Sequence, residues 1–164
     1  MSVYEIVHRP AQPYAAIPVT TTMAELGAAV PPLNGEVFHW LAARDIAPDG
    51  PPFWKYDVID MARTLQLQVG VATVGRAEGD GRVVTGELPA GRYLQTVHRG
   101  HPDTLERATA GLLAHAEAEG LAFDVVGSPE GERWAARLEL YLTDPVEEPD
   151  LDAWETALAF KLAD

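Results

Sequence analysis

The chain has 164 residues, with 12 Lys/Arg against 25 Asp/Glu and a formal charge of −13, and no Lys/Arg-rich stretch that could neutralise phosphates, which argues against direct nucleic-acid binding and against docking on an anionic membrane surface. At 47% hydrophobic and 23% charged residues the composition is that of a folded domain rather than a disordered acidic tail, and one domain over residues 1–164 is expected. Cysteine is absent, which removes disulfides and thiolate chemistry; the segment MSVYEIVHRPAQPY lacks an apolar signal-peptide region and no bilayer-length apolar run occurs, so a cytoplasmic protein is expected.

From Val3 to Val19, Pro10, Pro13 and Pro18 forbid a helix, and the alternation of Tyr4, Ile6 and His8 predicts two short strands joined at Pro10 to Pro13. Thr22 and Glu25 have capping-box spacing, and Met23, Leu26, Val30, Leu33, Val37 and Leu41 recur at helical intervals. A first helix to about Ala43 follows, kinked or split where Pro31, Pro32 and Gly35 interrupt it. Asp49 to Pro52 reads as a turn, and Phe53 to Asp57 and Thr64 to Val74 as strands. In the second of these Leu65, Leu67, Val69 and Val71 share one face.

Gly75 to Gly81 predicts a flexible turn, followed by strands over Arg82 to Leu88 and Arg92 to His98, separated by Pro89, Ala90 and Gly91. Asp103 is placed as the N-cap of a second helix, with Glu106 three residues on. Leu105, Ala108, Leu112 and Ala116 form its buried stripe and Gly120 its left-handed stop. One alternating strand is expected from Arg133 to Leu142, and a last one within Trp154 to Leu162. Residues 12–74 and 92–162 then repeat the same order of strand, helix, strand and strand. The fold class is α+β: duplicated βαββ units with pseudo-twofold symmetry, an antiparallel sheet with two long helices on one side, and a ligand pocket at the seam.

Motifs for nucleotide binding, for a serine nucleophile elbow and for a zinc-binding helix are absent. His98 and His101 lie close in sequence, but two ligands on a turn do not make a metal site, so no metal and no cofactor is expected. The residue that stands out is Glu139, a carboxylate inside the apolar stretch from Trp134 to Leu142. If its face is covered, the charge must be paired or await a partner, and Arg137 is the nearest candidate. Trp54 and Tyr56 share a strand face, Tyr93 begins another strand, and Trp134 and Tyr141 flank Glu139. Several rings around one carboxylate suit a flat, apolar, cationic molecule.

The stretch Leu138-Glu-Leu-Tyr-Leu-Thr-Asp-Pro145 resembles a pattern of Glu, aliphatic, Tyr, two residues and Asp-Pro found in the gyrase-inhibitor-like (GyrI-like) family, also called the effector-binding domain of multidrug-sensing transcription regulators. Pro89-Ala-Gly-Arg-Tyr93 and Trp154-Glu-Thr-Ala-Leu158 agree with it, and the resemblance spans about residues 3–162. It implies two SHS2-type βαββ repeats with a drug-sized pocket at their seam, and a pocket-floor carboxylate that carries over to Glu139. Tyr56 and Tyr93 are the first choices for the aromatic lining, with Trp54, Trp134 and Tyr141 second. The function implied is a stand-alone binding protein for hydrophobic, aromatic, often cationic small molecules, for multidrug binding or sequestration. One alternative is a hydrolase that opens cyclopropane-type rings of toxic natural products with Glu139 as its catalytic carboxylate. Another is an acidic inhibitor of a DNA-handling enzyme such as gyrase, acting through Asp144 to Asp152 with Glu147, Glu148 and Asp150.

Overall fold

The computed structural model describes residues 3–164, so the first two residues of the expected domain lie outside the described residues. The chain opens with β1 (Glu5–Arg9) and β2 (Gln12–Thr21), broken as expected near Pro10. Thr22 Oγ1 then accepts the N–H of Glu25 at 3.3 Å, but this capping contact begins only a turn. The helix is split into α1 (Leu26–Ala29) and α2 (Pro31–Ala42), with Pro31 in the first turn of α2, where a missing N–H costs nothing.

Strand β3 (Pro48–Ile59) absorbs the turn expected at Asp49 to Pro52. The register skips between Pro48 and Pro52, and Gly50 takes a φ of 146°, so an irregularity inside a strand accommodates residues whose composition predicts a turn. Strands β4 (Leu65–Thr73), β5 (Val84–Leu88) and β6 (Gly91–Arg99) follow.

The second helix is α3 (Leu105–Ala118), and Asp103 is not its cap. Residues 102–104 form a 3₁₀ turn capped by His101, whose Nδ1 accepts the N–H of Asp103. The single strand expected from Arg133 to Leu142 is divided into β8 (Gly131–Trp134) and β9 (Arg137–Tyr141), and β7 (Val125–Ser128) pairs with β8. At the break, Ala135 donates its N–H to Asp124 and Ala136 accepts from Lys161, so the corner backbone is satisfied outside the ladder. Strand β10 (Glu155–Lys161) closes the sheet.

The sheet is antiparallel, in the order β1-β6-β10-β9-β3-β4-β2-β5, with β7 and β8 attached beside β3. This order forces curvature. From β1 to β2 is six strand spacings, about 29 Å across a flat sheet, yet only Pro10 and Ala11 join them, a reach of about 11 Å. Pro89 and Ala90 impose the same condition between β5 and β6. The sheet therefore curls towards its helix-free face, where Val7 and Leu88 from opposite edges meet one cluster with Tyr14, Phe53, Tyr93 and Leu138.

Helices α2 and α3 cover the other face. Val37 and Leu41 pack on Ala15, Ile17 and Val71, while Leu112 and Ala116 join Leu67, Val69, Leu94 and Leu158. Each such fully buried Leu or Val is worth about 1.5–3 kcal/mol of apolar burial.

Candidate functional site

Glu139 lies mid-strand in β9, with Trp54 of β3 opposite it on one side and Leu158 of β10 on the other. Alternation sends Arg137, Glu139 and Tyr141 to the helix-bearing face and buries Leu138 and Leu140 on the other. Strands β3 and β9 abut in the middle of the sheet, so the carboxylate stands where the first four strands of that order meet the last four.

The Tyr141 hydroxyl donates to Glu139 Oε1 at 2.6 Å, and the Tyr56 hydroxyl donates to the same oxygen at 3.1 Å. Trp54 stands edge-on to Tyr141, with ring centroids 5.1 Å apart, and its indole N–H donates to Asn34 Oδ1 of α2 at 3.0 Å. Burial raises the Glu139 carboxyl above its ordinary value; the two tyrosine hydrogen bonds and the positive charge of Arg137 act against that rise. The phenols of Tyr56 and Tyr141 are themselves raised, first by burial and then by the adjacent carboxylate, which keeps both protonated as donors.

Arg137 is not a direct ion-pair partner of Glu139. Its guanidinium carbon lies 4.7 Å from the Trp134 ring centroid and 4.6 Å from that of Phe160. Burial lowers its pKa, and the attraction of Glu139 raises it through space. Trp134 packs on Phe160 and Phe123, at centroid distances of 5.7 and 5.4 Å.

Of the expected site residues, Glu139, Tyr56, Tyr141 and Trp54 are thus brought together, and Trp134 is joined to them through Arg137. Tyr93 is not. It is fully buried on the helix-free face, donates to the carbonyl of Pro89 at 2.7 Å, and lies near the Arg9 guanidinium, 5.7 Å from its ring centroid. Burial pushes its phenol up to about 12. Two residues that the sequence reading missed complete the surroundings. Phe160 required the β9–β10 register, and Asn34 carried one usable signal, a polar residue between Leu33 and the helix's buried stripe.

Two small cavities lie away from Glu139. One of about 130 Å³ is bordered by Arg9, Phe53, Leu88, Tyr93 and Leu140, and one of about 200 Å³ by Tyr14, Arg76 and Glu87. His98 and His101 are engaged locally, His98 Nε2 lying 2.8 Å from Thr104 Oγ1. No group of three or more His, Asp or Glu among the described residues could hold a metal ion. In the acidic segment, Asp144 and Asp150 accept the backbone N–H groups of Val146 and Asp152, and the carbonyl of Glu148 accepts from the Trp154 indole. No helix among the described residues is long and apolar enough to cross a membrane.

The model of the GyrI-like small molecule binding domain matches residues 2–158. No curated protein matches the chain. Among solved structures, the C-terminal domain of EcmrR is similar with a TM-score of 0.76 at 14% identity, covering 100% of this chain and 99% of that one. Against the EcmrR chain in its complex with DNA, the TM-score is again 0.76 at 15% identity, and this chain spans only 58% of that chain. SAV2435 bound to tetraphenylphosphonium has a TM-score of 0.62 at 8% identity over 98% of this chain and 94% of that one. A hydrolase from Listeria innocua gives 0.62 at 16% identity over 98% and 91%. With 157 consecutive residues matched by the family model and the curled antiparallel sheet in place, the chain belongs to the GyrI-like small molecule binding domain family.

Proposed function

We propose that this chain binds hydrophobic, aromatic, often cationic small molecules on the helix-bearing face of its sheet, with Glu139 as the counter-charge and Tyr56, Tyr141, Trp54 and Trp134 as the surrounding rings. The observation that carries the reading is the Glu139 carboxylate itself. It is partly buried at the middle of the sheet, and two protonated tyrosines hold it instead of a lysine or arginine. A carboxylate without a bonded cation in such a place gains most from a ligand that brings one, and aromatic walls add about 0.5–2 kcal/mol per ring of cation–π attraction. The strand order further supports reading the chain as one domain made of two βαββ units. Strands β3-β4-β2 and β9-β10-β6 mirror each other about the β3–β9 join, and Glu139 and Trp54 sit on that join. SAV2435, a structural neighbour, is described with tetraphenylphosphonium bound, a ligand of this chemical class.

The test compares a triaryl cation with a neutral molecule of similar shape. Methyltriphenylphosphonium and triphenylphosphine oxide are titrated into wild type and Glu139→Gln, with binding followed by tryptophan fluorescence. Loss of the counter-charge is expected to weaken the cation by ~10-fold or more while changing the neutral compound by less than ~3-fold. Equal losses for both would remove the role given to Glu139.

The same burial that raises the Glu139 carboxyl also suits it to general-base chemistry. A hydrolase reading is therefore tested on a cyclopropane-bearing alkylator by mass spectrometry. A hydrated, ring-opened product that disappears in Glu139→Gln would assign catalysis, and unchanged substrate would leave binding alone.

A further inference from the structure

Next to Glu139 on the same strand face stands a residue of opposite charge that makes no hydrogen bond to the carboxylate. The planar guanidinium of Arg137 rests against the rings of Trp134 and Phe160, 4.7 and 4.6 Å from their centroids, which are themselves 5.7 Å apart in an edge-to-face pair. Contact with rings takes up none of a guanidinium's N–H donors, which stay available to a carboxylate. Among the described residues its interaction with Glu139 is through space, with no hydrogen bond between them. Both tyrosine hydroxyls converge on Glu139 Oε1, so the carboxylate is held from elsewhere. The Trp134 ring beside Arg137 has an indole N–H that is buried and has no acceptor among the described residues. Buried donors of this kind are costly unless an acceptor arrives.

We propose that Arg137 is a second ligand contact, and that the preferred ligand is an aromatic zwitterion whose cationic centre faces Glu139 and whose carboxylate or equivalent oxygen acceptor meets the Arg137 edge. The two side chains are two residues apart along β9, which sets the separation of the ligand's charges at about 6–7 Å. The proposal rests on the reading of Glu139 as the counter-charge and adds to it a preference among cations. A lipophilic cation with no acceptor leaves the Arg137 edge unused and brings a like charge towards it. A zwitterion satisfies both residues and enters with less repulsion.

Rhodamine B and its ethyl ester provide the test, because they share one cationic ring system and differ only in a free or blocked carboxyl group. Their affinities are measured at neutral pH by fluorescence anisotropy on wild type, Arg137→Met, Arg137→Lys and Glu139→Gln. Wild type is expected to prefer the free acid over the ester. Arg137→Met lowers that preference by ~10-fold or more, mainly by weakening the acid, and Arg137→Lys retains part of it. Glu139→Gln weakens both dyes. An acid-to-ester ratio that is the same in wild type and Arg137→Met, or a wild type that favours the ester, overturns the proposal. If Arg137→Met does not fold, the Arg137→Lys ratio decides, and an unchanged ratio there also overturns it. If Glu139→Gln weakens both dyes while the ratio stays fixed, only the role of Arg137 fails. If Glu139→Gln leaves both dyes unaffected, the reading of Glu139 fails first.

Discussion

Ionisation of Glu139 costs the folded chain more than the unfolded one, and that follows from the direction of its pKa shift. Burial raises the carboxyl in the folded chain above its unfolded value, so the contribution to stability is fully present below the ordinary glutamate value of roughly 4.3 and is lost as pH rises through the raised one. Glu139→Gln is therefore expected to raise the melting temperature at neutral pH by about 2–4 °C. The gap closes on acidification to roughly pH 4, and a differential scanning fluorimetry series across pH reads both effects. A lower melting temperature for Glu139→Gln at neutral pH would mean that the ionised carboxylate is a structural partner. The sequence carried much of this scale. One charge in an apolar strand, with tyrosines and tryptophans at strand spacing, pointed to Glu139, Tyr56, Tyr141 and Trp54. It did not reveal faces that depend on register. Tyr93 and Leu94 are neighbours, and only the pairing of Leu94 with Phe160 and of Tyr93 with Lys161 determines that Leu94 faces the helices and Tyr93 faces away.

Among the elements, one tight constraint is the contact of β2 with β4. A methyl group on Gly70 would meet the carbonyl oxygen of Ala15 at 2.6 Å and the Cβ of Ala16 at 2.7 Å, backbone and core atoms that cannot swing aside. Gly70→Ala is thus expected to cost about 1–3 kcal/mol or more, measured as a fall in the urea midpoint with an unchanged slope. Wild-type stability in that variant would show that β2 can shift away from β4. Periodicity located β4, α3 and β10 because their buried stripes are long and regular. It failed at Asp103, where Pro102 in the first turn and the His101 ring favour a 3₁₀ start, and at Ala135 and Ala136, where the backbone turns to Asp124 and Lys161. Those bonds join segments far apart in sequence, so no local pattern announces them.

For the whole molecule, the two-residue links at Pro10-Ala11 and Pro89-Ala90 convert a long antiparallel sheet into a curl with two different faces. One carries the helices and Glu139; the other encloses Tyr93, Phe53 and the small cavity beside Arg9. Composition announced a folded acidic chain, but the strand order needed the tertiary pairing, because a short link between two strands does not say that five others lie between them. The formal charge of −13 favours the approach of cations to either face, so overall charge does not choose the site. In the reading proposed above Glu139 does, and the choice can be located directly by the anomalous scattering of arsenic in crystals of the chain with tetraphenylarsonium. An arsenic peak is expected on the helix-bearing face beside Glu139, among Trp54, Tyr56 and Tyr141, and none in Glu139→Gln. A peak on the helix-free face beside Tyr93 and Leu140, unchanged in Glu139→Gln, would contradict it.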